Sequence, residues 1–157
     1  MTEPEQRASA TSSVGDGPQG AAPRTPVLLL DTDLFFAVKI GDTLARAGYA
    51  TRQARTLADF SRLLAELRPT LAIVNTAARR LDWRAAIAAA REAGVPVLAF
   101  GAHVDLETQA AARAAGATRV VSNARLASDL PGIVARTMRL GTAGVAPPDD
   151  NTPEDDD

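Results

Sequence analysis

The stretch Val27-Leu28-Leu29-Leu30-Asp31-Thr32-Asp33 decides the fold class, because an unbroken apolar run ends there in two carboxylates. Four consecutive apolar residues before Asp31 are typical of a β-strand that is buried on both faces. A helical pattern follows, with apolar residues at four-residue spacing: Phe36, Ile40 and Leu44. Asp33 can cap the start of that helix, and Gly48 can end it. A buried strand followed at once by an amphipathic helix is the unit of parallel α/β proteins.

The same alternation repeats along the chain. Four further strand patterns occur at residues 49–53, 71–74, 95–100 and 119–121. Capping residues indicate that helices begin after Thr56, Asp82 and Asp105, and that a last one begins at Ser128 or Asp129. Five strand–helix units without a hairpin signal predict an α/β fold: a flavodoxin-like, doubly wound five-stranded parallel sheet in the order 2-1-3-4-5, with three α/β/α layers.

Composition divides the chain of 157 residues into three parts. Residues 1–25 contain almost no large apolar side chain, and residues 142–157 are rich in Pro and Asp. Such segments bury too little apolar surface to offset the entropy lost on ordering, so both are expected to be disordered. Residues 26–141 remain as a single domain, which is long enough to build its own core.

Charge is distributed unevenly, although the net charge is only −2. The two terminal segments hold nine of the 19 acidic residues and two of the 17 basic ones, so the central domain is basic. This pattern is compatible with a solvated Arg-rich surface, with an acidic partner, or with an acidic tail that folds back on its own domain. The chain has no cysteine, which excludes disulfides and thiolate chemistry. Without a signal peptide or a long apolar span, it is expected to be cytoplasmic, with no membrane contact.

Polar residues stand where the strands end, and a doubly wound sheet binds ligands at that edge. The candidate site residues at those ends are Asp31, Asp33, Asn75, Gly101, His103, Ser122 and Asn123. No glycine-rich phosphate loop follows the first strand, which disfavours nucleotide binding. No nucleophile–base pair or carboxylate pair indicates hydrolysis either, so the chain is not expected to be an enzyme.

Several stretches resemble the receiver domain of bacterial response regulators. The segment from Val27 to Asp33 with its helix resembles the start of that domain, and Arg68 to Asn75 resembles the segment that leads to the phosphoaccepting aspartate. Val95 to Leu98 and Ala114 to Ala117 resemble the fourth strand and the turn before the fifth. The resemblance covers residues 26–140 and implies the fold predicted above.

The residues that receivers use for phosphorylation are replaced in this chain. In the family's acidic pair, which holds Mg²⁺, Asp31 keeps the first position, whereas Thr32 stands at the second and Asp33 follows. Asn75 stands at the phosphoacceptor position, where an amide cannot form an acyl phosphate.

The other two phosphorylation roles are also unfilled. The position of the switch hydroxyl falls on Gly101, so no hydroxyl is expected there. The position of the phosphoryl-binding lysine falls on Ser122 or Asn123, and the only lysine, Lys39, lies in the first helix. The resemblance therefore implies a degenerate pseudo-receiver.

The expected function is that of a stand-alone signalling module that acts by protein contact. The resemblance implies a protein partner or a homodimer, bound through the fourth helix, fifth strand and fifth helix at about residues 105–139. No cofactor is expected, although Asp31 and Asp33 could bind Mg²⁺ weakly.

Two alternatives remain open. A small molecule could occupy the crevice, with His103 as a ligand or contact. Nucleic-acid association through the basic domain is disfavoured, because no recognition helix or stacking aromatic stripe is visible.

Overall fold

A computed structural model describes residues 24–78, 80–102 and 104–143. The expected disorder of the terminal segments concerns residues that lie almost entirely outside these ranges, and so does the candidate ligand residue His103. The first strand begins at Thr25 and the last helix ends at Ala143, so regular structure extends slightly beyond the predicted boundaries of 26 and 141.

Strands and helices alternate along the chain. The elements are β1 (Thr25–Leu30), α1 (Leu34–Arg46), β2 (Tyr49–Ala54), α2 (Leu57–Leu67), β3 (Leu71–Asn75), α3 (Trp83–Glu92), β4 (Val97–Gly101), α4 (Leu106–Ala115), β5 (Arg119–Ser122), α5 (Asn123–Ser128) and α6 (Leu130–Ala143). All strand pairs are parallel, and the sheet order is β2-β1-β3-β4-β5. The predicted fold class and strand order are therefore confirmed.

The sheet is buried on both faces, which explains the unbroken apolar runs. Residues 27–30 of β1 have no exposed surface. Leu28 and Leu30 pack with α2, α3 and α4 on one side, whereas Val27 and Leu29 pack with α1, α5 and α6 on the other. Because side chains alternate across a strand, each apolar run supplies both layers of the core.

Four helices begin with the carboxylate or hydroxyl caps that the sequence predicts. The side chains of Asp33, Thr56, Asp82 and Asp105 each accept a hydrogen bond from the backbone N–H three residues later, at 2.8 to 3.0 Å. A helix that follows a parallel strand starts at the carboxyl edge of the sheet, so these caps gather polar side chains at that edge.

The segment after β5 differs from the prediction. The sequence indicates one helix that starts at Ser128 or Asp129, but the structure contains α5 before it, and α6 begins at Leu130. The hydroxyl of Ser122 accepts the N–H of Arg125 at 3.1 Å and caps α5. The six residues of α5 contain one large apolar side chain, Leu126, and no periodic pattern. Helix α5 forms where Leu126 is buried in the core. The local sequence does not reveal that burial, because one apolar residue gives no periodic pattern.

The strand predicted at residues 95–100 is β4, which runs from Val97 to Gly101. The N–H of Val95 donates to Ala90 O at 2.9 Å and so belongs to the end of α3. Pro96 has no N–H to donate to a neighbouring strand. The strand therefore begins two residues later than the apolar run.

Candidate functional site

A cleft of about 720 Å³ opens at the carboxyl edge of the sheet, beside the ends of β1 and β3. Its walls include the predicted residues Asp31, Asp33 and Asn75. Gly101, Ser122 and Asn123, which the sequence also places at strand ends, do not line this cleft. The structure thus brings Asp31, Asp33 and Asn75 together, and it leaves the other predicted positions at the neighbouring strands β4 and β5.

Asp31 is the buried carboxylate of the cleft, with 1% of its surface exposed. Its Oδ1 accepts hydrogen bonds from the N–H of Asp33 at 3.1 Å and from Nδ2 of Asn75 at 3.0 Å. Its Oδ2 is buried and has no hydrogen-bond partner among the described residues. Burial raises the pKa of Asp31 above its ordinary value, because desolvation outweighs the hydrogen bonds from Asp33 and Asn75. The site therefore holds a half-satisfied carboxylate.

Asn75 uses both ends of its amide. Nδ2 donates to Asp31, and Oδ1 accepts the N–H of Ala77 at 2.8 Å. The loop hydrogen bond requires an acceptor and the bond to Asp31 requires a donor, and an amide supplies both, whereas an ionised carboxylate only accepts. An ionised Asp at this position would place a second acceptor against Asp31. Asn75 therefore complements the acidic residue beside it.

Asp33 has a different role from Asp31. Its exposed side chain accepts the N–H of Phe36 at 3.0 Å and caps α1. A divalent cation at these two residues would have Oδ2 of Asp31 as a ligand, together with the oxygen of Asp33 that does not cap the helix. In the ranges that the structure describes, no three His, Cys, Asp or Glu residues gather into a metal-binding group. The alternative of weak Mg²⁺ binding remains a prediction.

At Gly101, where the resemblance predicts the switch position, the backbone closely approaches a neighbouring side chain. A Cβ added to Gly101 would lie 2.6 Å from Oγ1 of Thr76, which follows Asn75. This hydroxyl donates to Phe100 O at 3.1 Å. Gly101 has no hydroxyl of its own, as the sequence indicates, but β3 delivers one to the same place. Thr76 was not among the predicted site residues, because its contact with Gly101 depends on the register between β3 and β4, which the sequence does not give.

Replacing Gly101 by Ala tests this arrangement. The added methyl group forces Thr76 to rotate away from Phe100 O, so we expect the free energy of unfolding to fall by about 1 kcal/mol, the value of one hydrogen bond. Urea denaturation measures this change. In a Thr76→Ala background the hydrogen bond and the clash are both absent, so Gly101→Ala should cost clearly less there. An equal cost in both backgrounds would contradict the assigned contact.

Ser122 and Asn123 lie at the end of β5, where Ser122 pairs with Gly101. Ser122 caps α5, as described above, and Oδ1 of Asn123 is buried without a hydrogen-bond partner in the described part of the chain. Neither side chain carries the positive charge that a lysine would supply. The strand ends at Ser122 and helix α5 starts at Asn123, and the assignment of the lysine position to one of the two stays a prediction.

Two cationic side chains at the cleft were not predicted. Arg55 follows β2 and Arg80 follows the turn after β3, and both are exposed residues that line the cleft. Arg80 has a left-handed backbone, with φ of 69°. Their positions in the sequence could have indicated these two residues, because each arginine stands within a few residues after the end of a strand. The cleft therefore carries charges of both signs.

Apolar side chains are exposed mainly on α1. Leu34, Phe35 and Val38 are 51%, 90% and 62% exposed, whereas Leu106 on α4 is 80% exposed. The first three lie outside the buried stripe of α1, which is formed by Ala37, Ile40 and Leu44. The buried stripe follows from the four-residue spacing in the sequence, and the apolar residues outside it are visible in the same helical pattern.

No family model and no curated protein matches this chain. Solved receiver domains have a similar fold. The signal receiver domain of an HD domain-containing protein from Pseudomonas fluorescens matches with a TM-score of 0.68 and 19% identity, covering 76% of this chain and 98% of that one. A CheY-like receiver domain protein from Methanospirillum hungatei matches with a TM-score of 0.69 and 15% identity, covering 78% and 99%.

A third similar structure is the Francisella response regulator 1452 receiver domain, with a TM-score of 0.64 and 16% identity, covering 78% of this chain and 100% of that one. Identities this low show the fold alone. Within the described residues, no helix is long and apolar enough to cross a membrane. The architecture of this chain is that of response-regulator receiver domains.

Proposed function

We propose that this chain is a cytoplasmic signalling module with a receiver-like fold, and that it acts by protein contact without aspartyl phosphorylation. The observation that carries the proposal is the hydrogen bond of 3.0 Å between Nδ2 of Asn75 and Oδ1 of Asp31. The amide is not a nucleophile, and it occupies the carboxylate oxygen that faces it. The module is not an enzyme in this proposal, and its output passes through another chain.

The proposal has further support in the surroundings of Asn75. A side chain at Gly101 would meet the hydroxyl of Thr76, and that hydroxyl is engaged with Phe100 O. Ser122, a residue at the lysine-equivalent position, caps a helix instead. Each of these groups has a structural partner that does not depend on phosphate. The partner-binding surface is then available at all times and needs no activation by phosphate.

The partner or second copy is proposed to bind at α4, β5 and α6, within residues 105–139. Leu106 is the large apolar side chain exposed on this face in the described chain. The exposed apolar residues of α1 (Leu34, Phe35 and Val38) form a second candidate surface. Large exposed aliphatic and aromatic side chains are typical of protein contacts when they are clustered.

Beryllofluoride with Mg²⁺ provides the test. We expect no saturable change of the amide NMR shifts at Asn75, at Gly101 or along α4 and α6, and no phosphoryl adduct after acetyl phosphate treatment. The Asn75→Asp variant is the matched control, because it restores only the carboxylate. A saturable, Mg²⁺-dependent shift in the wild-type protein would overturn the proposal and make the cleft a phosphate sensor.

A second candidate function is the binding of a small molecule in the cleft. The observation that favours it is Oδ2 of Asp31, a buried acceptor without a described partner, in a cleft that Arg55 and Arg80 also line. These groups suit a ligand that carries both a hydrogen-bond donor and an anionic group. Titration with small zwitterions, followed by NMR, tests it. Unchanged amide shifts around Asp31 and Arg80 across the set would count against this function.

A further inference from the structure

Exposed arginines surround the edge of the sheet that lies opposite the cleft. Parallel strands start at this edge, and the helices that follow them end there. We call five of these residues, all exposed, the arginine edge: Arg24, Arg46, Arg68, Arg91 and Arg139. Arg46 lies at the end of α1, Arg91 in the last turn of α3, and Arg68 caps the end of α2.

Contacts between neighbouring elements make this edge continuous. Nη1 of Arg24 donates to Ala45 O at 3.3 Å, which places it beside the end of α1. The N–H of Thr70, two residues after Arg68, donates to Pro26 O at 2.9 Å. The side-chain stem of Arg91 covers Gly116 in the turn before β5. The arginine edge therefore follows the starts of successive strands.

Helix dipoles explain part of this arrangement, since cations are favourable at helix C-termini. They do not neutralise it, because the partial charge of a helix end is about half an elementary charge. Among the described residues, no carboxylate forms an ion pair within 4.0 Å of Arg46, Arg68, Arg91 or Arg139. Glu66 and Glu92 lie near the ends of α2 and α3, and Glu66 is paired with Arg62. The edge keeps an excess of positive charge.

The chain itself supplies a complementary polyanion that starts at the same edge. Helix α6 ends at Ala143, and its Gly141 packs closely on Pro96, just before the start of β4. Residues 144–157 contain six acidic residues and no basic one. Asp149 lies six residues beyond Ala143 in the sequence, a span of up to about 20 Å. Five strands at about 4.8 Å spacing cover a similar width, so the acidic residues can reach any part of the edge.

We infer that residues 149–157 bind the arginine edge of the same molecule. The binding is electrostatic, between carboxylates and guanidinium groups that can form paired hydrogen bonds. Tethering gives the segment an effective concentration of about millimolar, which favours it over a free polyanion. The segment then screens the basic edge from acidic partners and leaves the opposite edge, with the cleft, accessible. This inference does not depend on the proposed function.

A spin label provides the test, because the chain has no cysteine of its own. Thr152→Cys, labelled with a nitroxide in the full chain, should broaden the amide NMR signals of Arg46, Arg68 and Arg91. Signals around Asn75 should keep their intensity. The broadening should fall at about 1 M salt, where the Debye length is about 3 Å. Broadening spread evenly over both edges of the sheet would overturn the inference.

Two sets of variants separate binding from simple tethering. A variant in which all six acidic residues of 144–157 are changed to Asn or Gln carries the same label and gives the tethering baseline. We expect this neutralised variant to broaden the signals at the arginine edge less than the wild-type segment does. We expect Arg68→Gln to reduce the broadening partly. The matched control Arg62→Gln removes an exposed arginine that is paired elsewhere and should change nothing. Equal broadening in the neutralised and wild-type segments would contradict the inference.

A mixed sample distinguishes one molecule from two. Isotope-labelled protein without the nitroxide is combined with unlabelled protein that carries it at position 152. We expect no broadening in this sample, because the segment binds its own molecule. Broadening at the arginine edge of the isotope-labelled copy would show that the segment binds a second copy, and it would overturn the intramolecular contact.

Discussion

Asn75→Asp lowers the free energy of unfolding by about 3 kcal/mol at neutral pH in the absence of divalent cations, since a charge-assisted hydrogen bond is replaced by repulsion. The wild-type donor, Nδ2, lies 3.0 Å from Oδ1 of Asp31. The substitution leaves two carboxylates at that separation, one of them buried, and like charges raise the pKa of such a pair. The loss should therefore shrink as the pH falls and one carboxyl binds a proton.

Urea denaturation with and without millimolar Mg²⁺ measures this effect. The cation takes carboxylate oxygens as ligands, so it should restore much of the stability of Asn75→Asp and change the wild type little. Asn75→Ala is the control, because it removes the hydrogen bond without adding charge and should show no dependence on the cation. The account fails if Asn75→Asp is as stable as the wild type in a chelator.

Asp31→Asn raises the free energy of unfolding by about 1 kcal/mol at neutral pH, within the range for single stabilising substitutions, because the loss of the buried charge outweighs the cost of placing Nδ2 where Oδ2 has no described partner. An amide oxygen at this position still accepts from Asp33 N and from Nδ2 of Asn75, and the buried charge disappears. Burial raises the pKa of Asp31 in the folded state. Ionisation of Asp31 therefore destabilises the fold, and the penalty appears as the pH rises through the folded-state pKa.

The pH dependence identifies the cause. Below the ordinary carboxyl pKa of about 3.9, Asp31 is neutral in both the folded and unfolded states, so the two proteins should differ little. The difference should grow with rising pH and then level off. Asp33→Asn is the matched control, since Asn caps a helix as well as Asp does and Asp33 is exposed. A constant gap between Asp31→Asn and the wild type at every pH would exclude ionisation as the reason.

The two substitutions are coupled because their side chains touch. In the double variant, an amide at position 31 faces a carboxylate at position 75, so a hydrogen bond of reversed polarity can form. A double-mutant cycle should then show a favourable coupling free energy, whereas distant sites add independently. A residue that destabilises the fold, as Asp31 is expected to do, is typical of positions kept for binding or catalysis. The expected loss of stability at Asp31 is therefore a physical reason to search the cleft for a ligand.

The alternation of apolar runs and helical patterns was sufficient to predict the fold. A strand buried on both faces must be apolar at every position, as in residues 27–30. This constraint is visible in the short stretch of sequence that forms the strand. The caps Asp33, Thr56, Asp82 and Asp105 were predictable for the same reason, since each acts on an N–H three residues away. The prediction that an acyl phosphate cannot form at position 75 also rests on one local feature, the amide of Asn75, and it stays a prediction.

Only the tertiary structure decided how those residues meet. The hydrogen bond between Asn75 and Asp31 joins positions 44 residues apart, and the contact of Thr76 with Gly101 joins two strands. Helix α5 carries too little periodicity to be predicted, and it forms where Leu126 is buried. Arginines that are scattered in sequence share one edge because every helix runs back to the same side of a parallel sheet. Local patterns determine elements, whereas desolvation and partners across the sheet determine what each polar side chain does.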